Sequence, residues 1–377
     1  MRVLLKRRLN SLWQRTLTPL LEAHPEIELI EMPTADPAAR PTVKQSGPVG
    51  EGTPGQASMA DAASWTEAEV VIGGSVSAED VEAMPALRAV IVPFTGVNGL
   101  PLELLRDRGV RIANSHGNAR YVAERALAML LSLTGRICRF DADLRRGRWH
   151  GFAAGEPIAD SWESLDGKTA AILGTGAIGR ETAKLLRPFG VTTRGLRRSD
   201  GPVDAVFDAA AEALDEALRG ADIVVVTLPA TEETRGLLGS RELELMAGGI
   251  LVNVGRGSVV QQRALYEALA GGTLAGACID TWYNYPDRAE GTDPARRSTR
   301  ESRPPSGTEE APQVAPPTET APADYPFWKL ENTVLSPHVG GYTPRAGKRS
   351  IEETVENLRL FVEEGRFLND VFPEREY

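Results

Sequence analysis

Short apolar runs alternate with helix-like stretches along most of the chain. The runs at 2–6 and 26–31 flank a helix-like stretch at about 10–23. Further runs typical of buried strands follow at 70–72, 89–92, 168–173, 223–228, 250–254, 277–279 and 333–336. Strands that alternate with helices predict an α/β protein with doubly wound parallel sheets.

Two amphipathic helices indicate how the chain is divided. In 121–146 apolar residues recur at steps of three and four, which predicts one continuous helix joining a first α/β unit to a second. A last helix at 345–364 carries a similar stripe, and we expect it to return to the first unit. The predicted organisation is a first unit at 1–117, a second unit at 118–341 inserted into it, and a C-terminal segment at 342–377.

Two stretches lack apolar periodicity. The segment 33–63 is rich in Pro, Gly, Ala and Thr, which is typical of an extended surface loop. In 287–323 Val314 is the only strongly apolar residue among many Pro, Arg, Glu, Thr and Ser residues. Such a segment cannot bury enough surface to offset the entropy of ordering, so we predict a disordered insertion there.

The composition excludes several classes of protein. The chain has 377 residues and a formal net charge of −10, which disfavours a nucleic-acid surface built from clustered Lys and Arg. The basic start flanks only the apolar residues 3–5, a run too short for a signal peptide or a membrane span. The two cysteines and four histidines form no pattern typical of disulfides or a metal site. We therefore expect a cytoplasmic protein without nucleic-acid, membrane or metal partners.

A glycine-rich turn carries the strongest chemical signal. The sequence Gly174-Thr175-Gly176-Ala177-Ile178-Gly179 follows the strand-like run 168–173 and precedes the helix-like run 180–189. In that context the glycines permit a tight turn, close approach of a pyrophosphate to the backbone, and close packing of helix on strand. The helix N-terminus then directs unpaired N–H groups at the phosphates. The turn predicts a dinucleotide site.

The end of the next strand distinguishes between the two nicotinamide dinucleotides. A site for NAD usually places an acidic residue there, to accept hydrogen bonds from the ribose hydroxyls. Here the strand 191–196 ends in Arg197-Arg198-Ser199, and no acid occurs before Asp200. Two guanidinium groups suit a 2′-phosphate, so the sequence favours NADP and leaves NAD possible. The alternative is that the arginine pair is only a solvated strand end.

Three later segments, 253–257, 280–286 and 335–341, each lie at the end of a predicted strand. Ligands of open parallel sheets bind outside the carboxyl ends of the strands, so these segments should converge on the cofactor cleft. Together with Gly167-Lys168-Thr169, the glycine turn and Val122-Ala123-Glu124, they resemble the D-isomer-specific 2-hydroxyacid dehydrogenases. The resemblance implies two Rossmann-like or flavodoxin-like domains, with the cofactor domain at 118–341 inserted into the substrate domain. It also implies reversible, NAD(P)-dependent reduction of a 2-oxoacid to a 2-hydroxyacid.

The family's catalytic Arg and His match Arg256 and His338. A planar guanidinium can bind the carboxylate of a 2-oxoacid while it polarises the ketone. An imidazolium can protonate the alkoxide that hydride addition leaves behind. By this resemblance Arg256 orients and polarises the substrate, and His338 is the general acid for reduction and the base for oxidation. The alternative is a purely structural role, as an ion pair for Arg256 and as a core histidine for His338.

The resemblance assigns further binding residues. The family holds the substrate carboxylate by backbone N–H groups, in a loop that matches Thr95-Gly96-Val97-Asn98. On the cofactor side the resemblance implies contacts to the pyrophosphate at the glycine turn, contacts to the adenosine and ribose, and contacts to the nicotinamide. Asp280 would accept a hydrogen bond from the nicotinamide carboxamide; the alternative is that it only caps a strand end. The residues expected to bind the cofactor are Gly174, Gly176, Ala177, Ile178, Gly179, Arg197, Arg198, Leu228, Pro229, Thr234, Val254 and Asp280.

Tyr285 departs from the family pattern. Most members have there a Glu that pairs with the catalytic His, whereas formate dehydrogenases of this fold have a Gln, and a Trp that matches Trp282. A phenol is neutral at pH 7 and cannot favour an imidazolium as a carboxylate does. We therefore include Tyr285 among the catalytic candidates, keep formate oxidation as a minor alternative, and expect a shaped pocket for one class of 2-oxoacid.

The leading hypothesis is an NADPH-preferring 2-oxoacid reductase similar to glyoxylate and hydroxypyruvate reductases. A second hypothesis is a non-catalytic dinucleotide sensor similar to the C-terminal binding proteins, which act as corepressors. The presence of Arg256 and His338 favours catalysis. The resemblance also implies a homodimer formed through the cofactor domain.

Overall fold

The computed structural model describes residues 1–6, 9–31, 42–44, 65–149, 161–196, 204–285 and 321–373. These residues form two α/β domains, each built on a sheet of seven strands. Parallel pairing dominates both sheets, as the alternation of apolar runs and helices predicted.

The first sheet has the strand order β14-β6-β5-β4-β1-β2-β3. Its inner strands are parallel, while β3 and β14 add antiparallel edges. The strands are β1 (Arg2–Leu5), β2 (Glu28–Glu31), β3 (Thr42–Lys44), β4 (Val70–Ile72), β5 (Ala89–Ile91), β6 (Arg111–Ala113) and β14 (Asp370–Val371). Strand β3 lies inside the stretch 33–63, which was wrongly predicted as loop throughout. An edge strand of three residues leaves too little apolar pattern to be recognised.

Helices cover both faces of this sheet. They are α1 (Ser11–Ala23), α2 (Ala78–Ala83), α3 (Leu102–Asp107) and the C-terminal α10 (Pro344–Glu364). Leu358 and Phe361 of α10 pack in one buried cluster with Trp13 and Leu17 of α1. Full burial of each such side chain stabilises the fold by about 1.5–3 kcal/mol, which explains why the last helix returns to the first sheet.

The second sheet is parallel throughout, with the order β13-β12-β11-β10-β7-β8-β9. Its strands are β7 (Thr169–Leu173), β8 (Thr192–Leu196), β9 (Ala209–Ala211), β10 (Ile223–Val226), β11 (Ile250–Asn253), β12 (Gly276–Ile279) and β13 (Thr333–Leu335). All four residues of β10 are buried, because helices cover both faces of the sheet. The order reverses beside β7, where a crevice opens at the carboxyl ends of the strands.

The helices of the second domain are α4 (Ala119–Thr134), α5 (Ile137–Arg145), α6 (Ala177–Leu186), α7 (Leu214–Leu218), α8 (Ser240–Leu245) and α9 (Gln262–Ala270). The prediction of a single helix at 121–146 was wrong, because α4 ends at Thr134 and Arg136 adopts a left-handed backbone with φ of 50°. Beyond this break Ile137 and Leu144 are exposed and do not continue a buried stripe. No helix within the described ranges is long and apolar enough to cross a membrane.

The predicted insertion at 287–323 falls mostly outside the described residues. Its last residues contradict the prediction, because Ala323 is buried in the core and the carbonyl of Pro322 accepts from the backbone N–H of Asn284 at 3.0 Å. Folded structure therefore resumes by residue 321. A short Ala-Pro-Ala run is too brief for periodicity to separate it from the polar tract before it.

Candidate active site

The glycine turn lies between β7 and α6 and has the geometry of a phosphate cradle. Gly174 has φ of +104°, a conformation in which a residue with a side chain would be strained. Gly176 immediately precedes the first residue of α6. A Cβ on Gly179 would overlap the carbonyl oxygen of Gly174, so helix and turn pack closely. A Cβ on Gly176 would meet nothing within 4 Å, which leaves open space before the helix N-terminus. The turn thus fits the pyrophosphate of a dinucleotide.

Ala177 and Ile178 form the first turn of α6. Their N–H groups belong to the unpaired donors of a helix N-terminus, which attract anions. Arg197 and Arg198, the residues expected to bind a 2′-phosphate, lie outside the described residues.

The loop after β10 borders the same turn. Leu228 lies close enough to Gly174 that its Cδ2 would be 3.3 Å from an added Cβ. Thr234 donates to the carbonyl of Pro229 at 2.7 Å and accepts from the N–H of Thr231 at 2.8 Å, so its hydroxyl holds the loop in shape. Leu228, Pro229 and Thr234 are all partly exposed beside the cleft.

One contact across the cleft joins this loop to the first domain. Asn98 donates from its side-chain amide to the carbonyl of Ala230 at 2.8 Å. The substrate loop predicted at Thr95–Asn98 therefore meets the cofactor domain directly. Sequence reasoning found the loop but not this bridge, because the two residues are 132 positions apart.

The substrate loop Thr95–Asn98 is anchored by hydrogen bonds of Thr95. The hydroxyl of Thr95 lies 2.9 Å from Oδ1 of Asn118 and 3.2 Å from the carbonyl of Ser115. The side-chain amide of Asn114 donates to the carbonyl of Thr95 at 2.8 Å. These contacts hold the neighbouring Gly96 in a fixed position at the cleft.

Arg256 lies directly against Gly96. A Cβ on Gly96 would overlap Nη2 of Arg256, so only glycine leaves room for the guanidinium at this position. Nη1 of Arg256 donates to the carbonyl of Gly255 at 2.8 Å, which orients the group. Burial lowers the pKa of Arg256, and the neighbouring Tyr285 opposes that effect. The guanidinium remains charged, since an Arg pKa starts far above neutrality.

Tyr285 and His338 lie together at the same cleft. Their ring centroids are 5.4 Å apart with an interplanar angle of 52°. The phenol oxygen of Tyr285 accepts from the backbone N–H of Trp282 at 3.1 Å, and partial burial raises the pKa of that phenol. The structure therefore brings Arg256, Tyr285 and His338 into one cluster, in which Tyr285 is a neutral neighbour of the other two side chains.

His338 has an unusual backbone. Its φ of 55° is in the left-handed region, which costs a non-glycine residue about 1–3 kcal/mol. The conformation turns an exposed imidazole out of a tight loop that follows β13. Such strain persists only where the surroundings hold the loop, and it is common in active sites.

Asp280 supplies part of that support. Its carboxylate is 1% exposed and accepts from the N–H groups of Val339 at 3.1 Å and Gly340 at 3.0 Å, and from the hydroxyl of Ser336. The sequence predicted Asp280 at the nicotinamide but did not predict these partners. Val254, also expected there, is buried in the core beside β11 and β12.

Arg125 and Ser336 were missed by sequence reasoning. Arg125 donates to the hydroxyl of Ser336 through Nη2 at 2.9 Å and Nε at 3.2 Å. The signal in the sequence was their position, since Arg125 directly follows Val122-Ala123-Glu124 and Ser336 lies in the segment 335–341, two residues before His338. Within the described ranges, no group of three His, Cys, Asp or Glu side chains could hold a metal ion.

Comparison with known proteins identifies the family. Residues 127–340 match the family model for the NAD-binding domain of D-isomer-specific 2-hydroxyacid dehydrogenases. The chain is 30% identical over 291 residues to a glyoxylate reductase of Korarchaeum cryptofilum, covering 76% of each chain. It is 29% identical over 305 residues to glyoxylate/hydroxypyruvate reductase B of Yersinia pestis, covering 78% of this chain and 81% of that one.

A solved structure shares the fold. The NADPH-dependent glyoxylate/hydroxypyruvate reductase of Sinorhizobium meliloti, in complex with NADP and malonate, superimposes with a TM-score of 0.66 and 24% identity, covering 99% of this chain and 97% of that one. The family model, the relatives and the parallel sheets agree. This chain belongs to the D-isomer-specific 2-hydroxyacid dehydrogenase family and is an NAD(P)-dependent oxidoreductase that acts on CH–OH groups.

Proposed function

We propose that this protein is an NADPH-preferring reductase of small 2-oxoacids such as glyoxylate and hydroxypyruvate. The observation that carries the proposal is the contact of the Arg256 guanidinium with Gly96. That contact places a fixed positive charge beside the backbone of the substrate loop, where a carboxylate can be held. The glyoxylate reductases among the relatives support the same substrate class.

The geometry suggests how the residues act on a 2-oxoacid. The substrate carboxylate binds the N–H groups of the Thr95–Gly96 loop and the guanidinium of Arg256, which also polarises the ketone oxygen. When bound, the reduced nicotinamide supplies the hydride to the carbonyl carbon. The imidazolium of His338 donates a proton to the developing alkoxide, and in the oxidation direction the neutral imidazole removes it.

The cofactor is proposed to lie along the glycine turn. Ala177 and Ile178 donate to the pyrophosphate, while Arg197 and Arg198 bind a 2′-phosphate. Leu228, Pro229 and Thr234 would contact the adenosine and ribose, and Val254 and Asp280 would contact the nicotinamide. One lone pair of Oδ2 of Asp280 stays available for the carboxamide, since this oxygen accepts only from Gly340 in the described contacts.

Tyr285 is proposed to shape the site instead of replacing the usual glutamate. Its hydroxyl is held by the N–H of Trp282, and its ring packs beside His338. A neutral phenol cannot favour the imidazolium as a carboxylate does. We therefore expect Tyr285 to fix the orientation of His338 and to limit the size of the substrate side chain.

The proposed function is tested by turnover. A panel of 2-oxoacids is assayed with NADPH and with NADH by the loss of reduced-nicotinamide absorbance. Oxidation of NADPH with glyoxylate or hydroxypyruvate, and a lower Michaelis constant for NADPH than for NADH, are expected. Tight cofactor binding without turnover of any 2-oxoacid would overturn the proposal in favour of a sensor, and NAD(P) reduction by formate would overturn it in favour of formate oxidation.

The division of the chain and its location are part of the proposal. Residues 1–117 and 342–377 form the substrate domain, and 118–341 form the cofactor domain. The contacts of α10 with α1 support this division. A cytoplasmic location is proposed because neither Cys138 nor Cys278 forms a disulfide, which is typical of proteins in a reducing compartment.

We further propose a homodimer formed through the cofactor domain. Large apolar side chains crowd the surface of α5 and its flanks, with exposed fractions of 56% for Ile137 and Leu144, 80% for Trp149 and 61% for Trp162. Exposed apolar patches of this kind mark interaction sites. Light scattering should give twice the mass of one chain, and Ile137→Glu with Leu144→Glu should give a monomer. Exposed Leu368→Glu in the first domain is the control, and a monomeric wild type would refute the dimer.

A further inference from the structure

The loop that carries His338 is held at both sides of its strained residue. Asp280 accepts from the N–H groups of Val339 and Gly340, the two residues after His338. The same carboxylate accepts from the hydroxyl of Ser336, two residues before His338. The position of the imidazole therefore depends on where this one buried carboxylate lies.

The hydrogen bonds that reach Asp280 have a fixed direction. Arg125 has only donors, so the oxygen of Ser336 must accept from it. The single proton of the Ser336 hydroxyl is then left for Asp280. Ser336 is 2% exposed and Asp280 is 1% exposed, so bulk water cannot take the place of either partner. Both ends of this chain carry charge, which strengthens the hydrogen bonds.

Arg125 also lies beside the loop itself. A Cβ on Gly340 would lie 3.7 Å from Cβ and Cγ of Arg125, so the arginine stem borders that residue. Arg125 is on α4, the helix that enters the second domain from the first. The guanidinium thus links the helix at the domain junction to the loop of the catalytic histidine.

We propose that Arg125 and Ser336 are positioning residues, which orient the Asp280 carboxylate and through it hold the His338 imidazole over the substrate. This inference rests on the proposed function, because the readout is a reaction that needs His338. In this proposal both residues act through Asp280 and not on the substrate itself. Removing either one frees the carboxylate to move and lets His338 leave its left-handed conformation.

The experiment is a double-mutant cycle of Ser336→Ala and Arg125→Gln in the full chain. Each single variant should lower kcat for 2-oxoacid reduction by about 10- to 100-fold, since small misplacements of a catalytic group have effects of that size. The melting temperature should stay near that of the wild type. The kcat of the double variant should be no lower than that of the less active single variant, because both substitutions break the same chain of hydrogen bonds. The primary isotope effect with deuterated NADPH should rise as chemistry becomes slower.

Ser350→Ala is the matched control, since Ser350 is a buried serine of α10 outside the site. It should keep full activity. A Ser336→Ala enzyme within twofold of the wild-type kcat, or additive losses in the double variant, would overturn the positioning role. Losses that follow a fall in melting temperature would overturn it as well.

A readout without turnover separates this proposal from the proposed function. The chain has four histidines, so the imidazole signals can be resolved by NMR and that of His338 assigned with His338→Gln. Arg125→Gln should move the His338 signal and leave His24 in place. An unmoved His338 signal would refute positioning even if the enzyme is active. A wild type without any 2-oxoacid turnover would refute the function, while the NMR result would still decide the positioning.

Discussion

Gly96 is the position at which one added methyl group tests the proposed substrate site. In Gly96→Ala the new Cβ would overlap Nη2 of Arg256 and nothing else within 4 Å except the rest of that guanidinium. Because the obstacle is the end of a flexible side chain, the backbone can stay in place while Arg256 moves aside. The substitution should therefore displace the guanidinium without unfolding the loop.

The expected magnitude follows from the contacts that are lost. A hydrogen bond to a charged group contributes about 1.5–3 kcal/mol, and 1.4 kcal/mol is a factor of ten. Displacing Arg256 from the substrate carboxylate should lower kcat/KM by about 10- to 150-fold. Gly96 has no left-handed φ, so the free energy of unfolding should change by less than about 1 kcal/mol.

Gly99→Ala in the same loop is the matched control. Its Cβ would meet only the carbonyl oxygen of Gly74, at an ordinary contact distance of 3.6 Å. Kinetics with glyoxylate and thermal unfolding should separate the two variants, with the loss of activity confined to Gly96→Ala. In an Arg256→Gln background, Gly96→Ala should lower kcat/KM further by less than about threefold. Equal losses at Gly96 and Gly99, or a full additive loss in that background, would refute the reasoning.

Three further predictions concern the cofactor, the acid and the polar tract. Replacing Arg197 with Asp and Arg198 with Ala should raise the Michaelis constant for NADPH far more than that for NADH, since two charge-assisted phosphate contacts of about 1.5–3 kcal/mol each are lost. An unchanged ratio of the two Michaelis constants would contradict binding of the 2′-phosphate by these arginines. Tyr285→Glu should extend the rate of reduction to higher pH, because a carboxylate beside His338 favours the protonated imidazolium that reduction consumes. Tyr285→Phe should keep the wild-type pH profile, because the raised pKa of the phenol keeps it neutral throughout the assay range. A shifted profile in Tyr285→Phe, together with an unshifted profile in Tyr285→Glu, would argue against both predictions. Excision of 288–320 with a short flexible linker should preserve the melting temperature and activity, since this tract lacks an apolar pattern; a large loss of either would show that it is a folded element.

The order of strands and helices could be predicted because it depends on local patterns of apolar and polar residues. The buried run of β10, the glycine turn before α6 and the apolar stripe of α10 each depend on neighbours a few residues away. The convergence of Arg256 and His338 also followed from the sequence, since both come directly after parallel strands. A break in a helix is harder to predict, and Gly135-Arg136 ended α4 inside a stretch whose periodicity continued.

The site itself was decided by contacts between distant parts of the chain. Asn98 meets Ala230 across 132 positions, and Arg125 reaches Ser336 across 211. The space that Gly96 leaves for Arg256 exists only once two domains are packed together. Sequence patterns report the propensity of each segment and the face it buries, whereas hydrogen-bond partners depend on how completed elements are placed in three dimensions. The sequence alone therefore determined that the glycine turn, Arg256 and His338 come to one cleft, and only the tertiary structure decided which residues hold them in place.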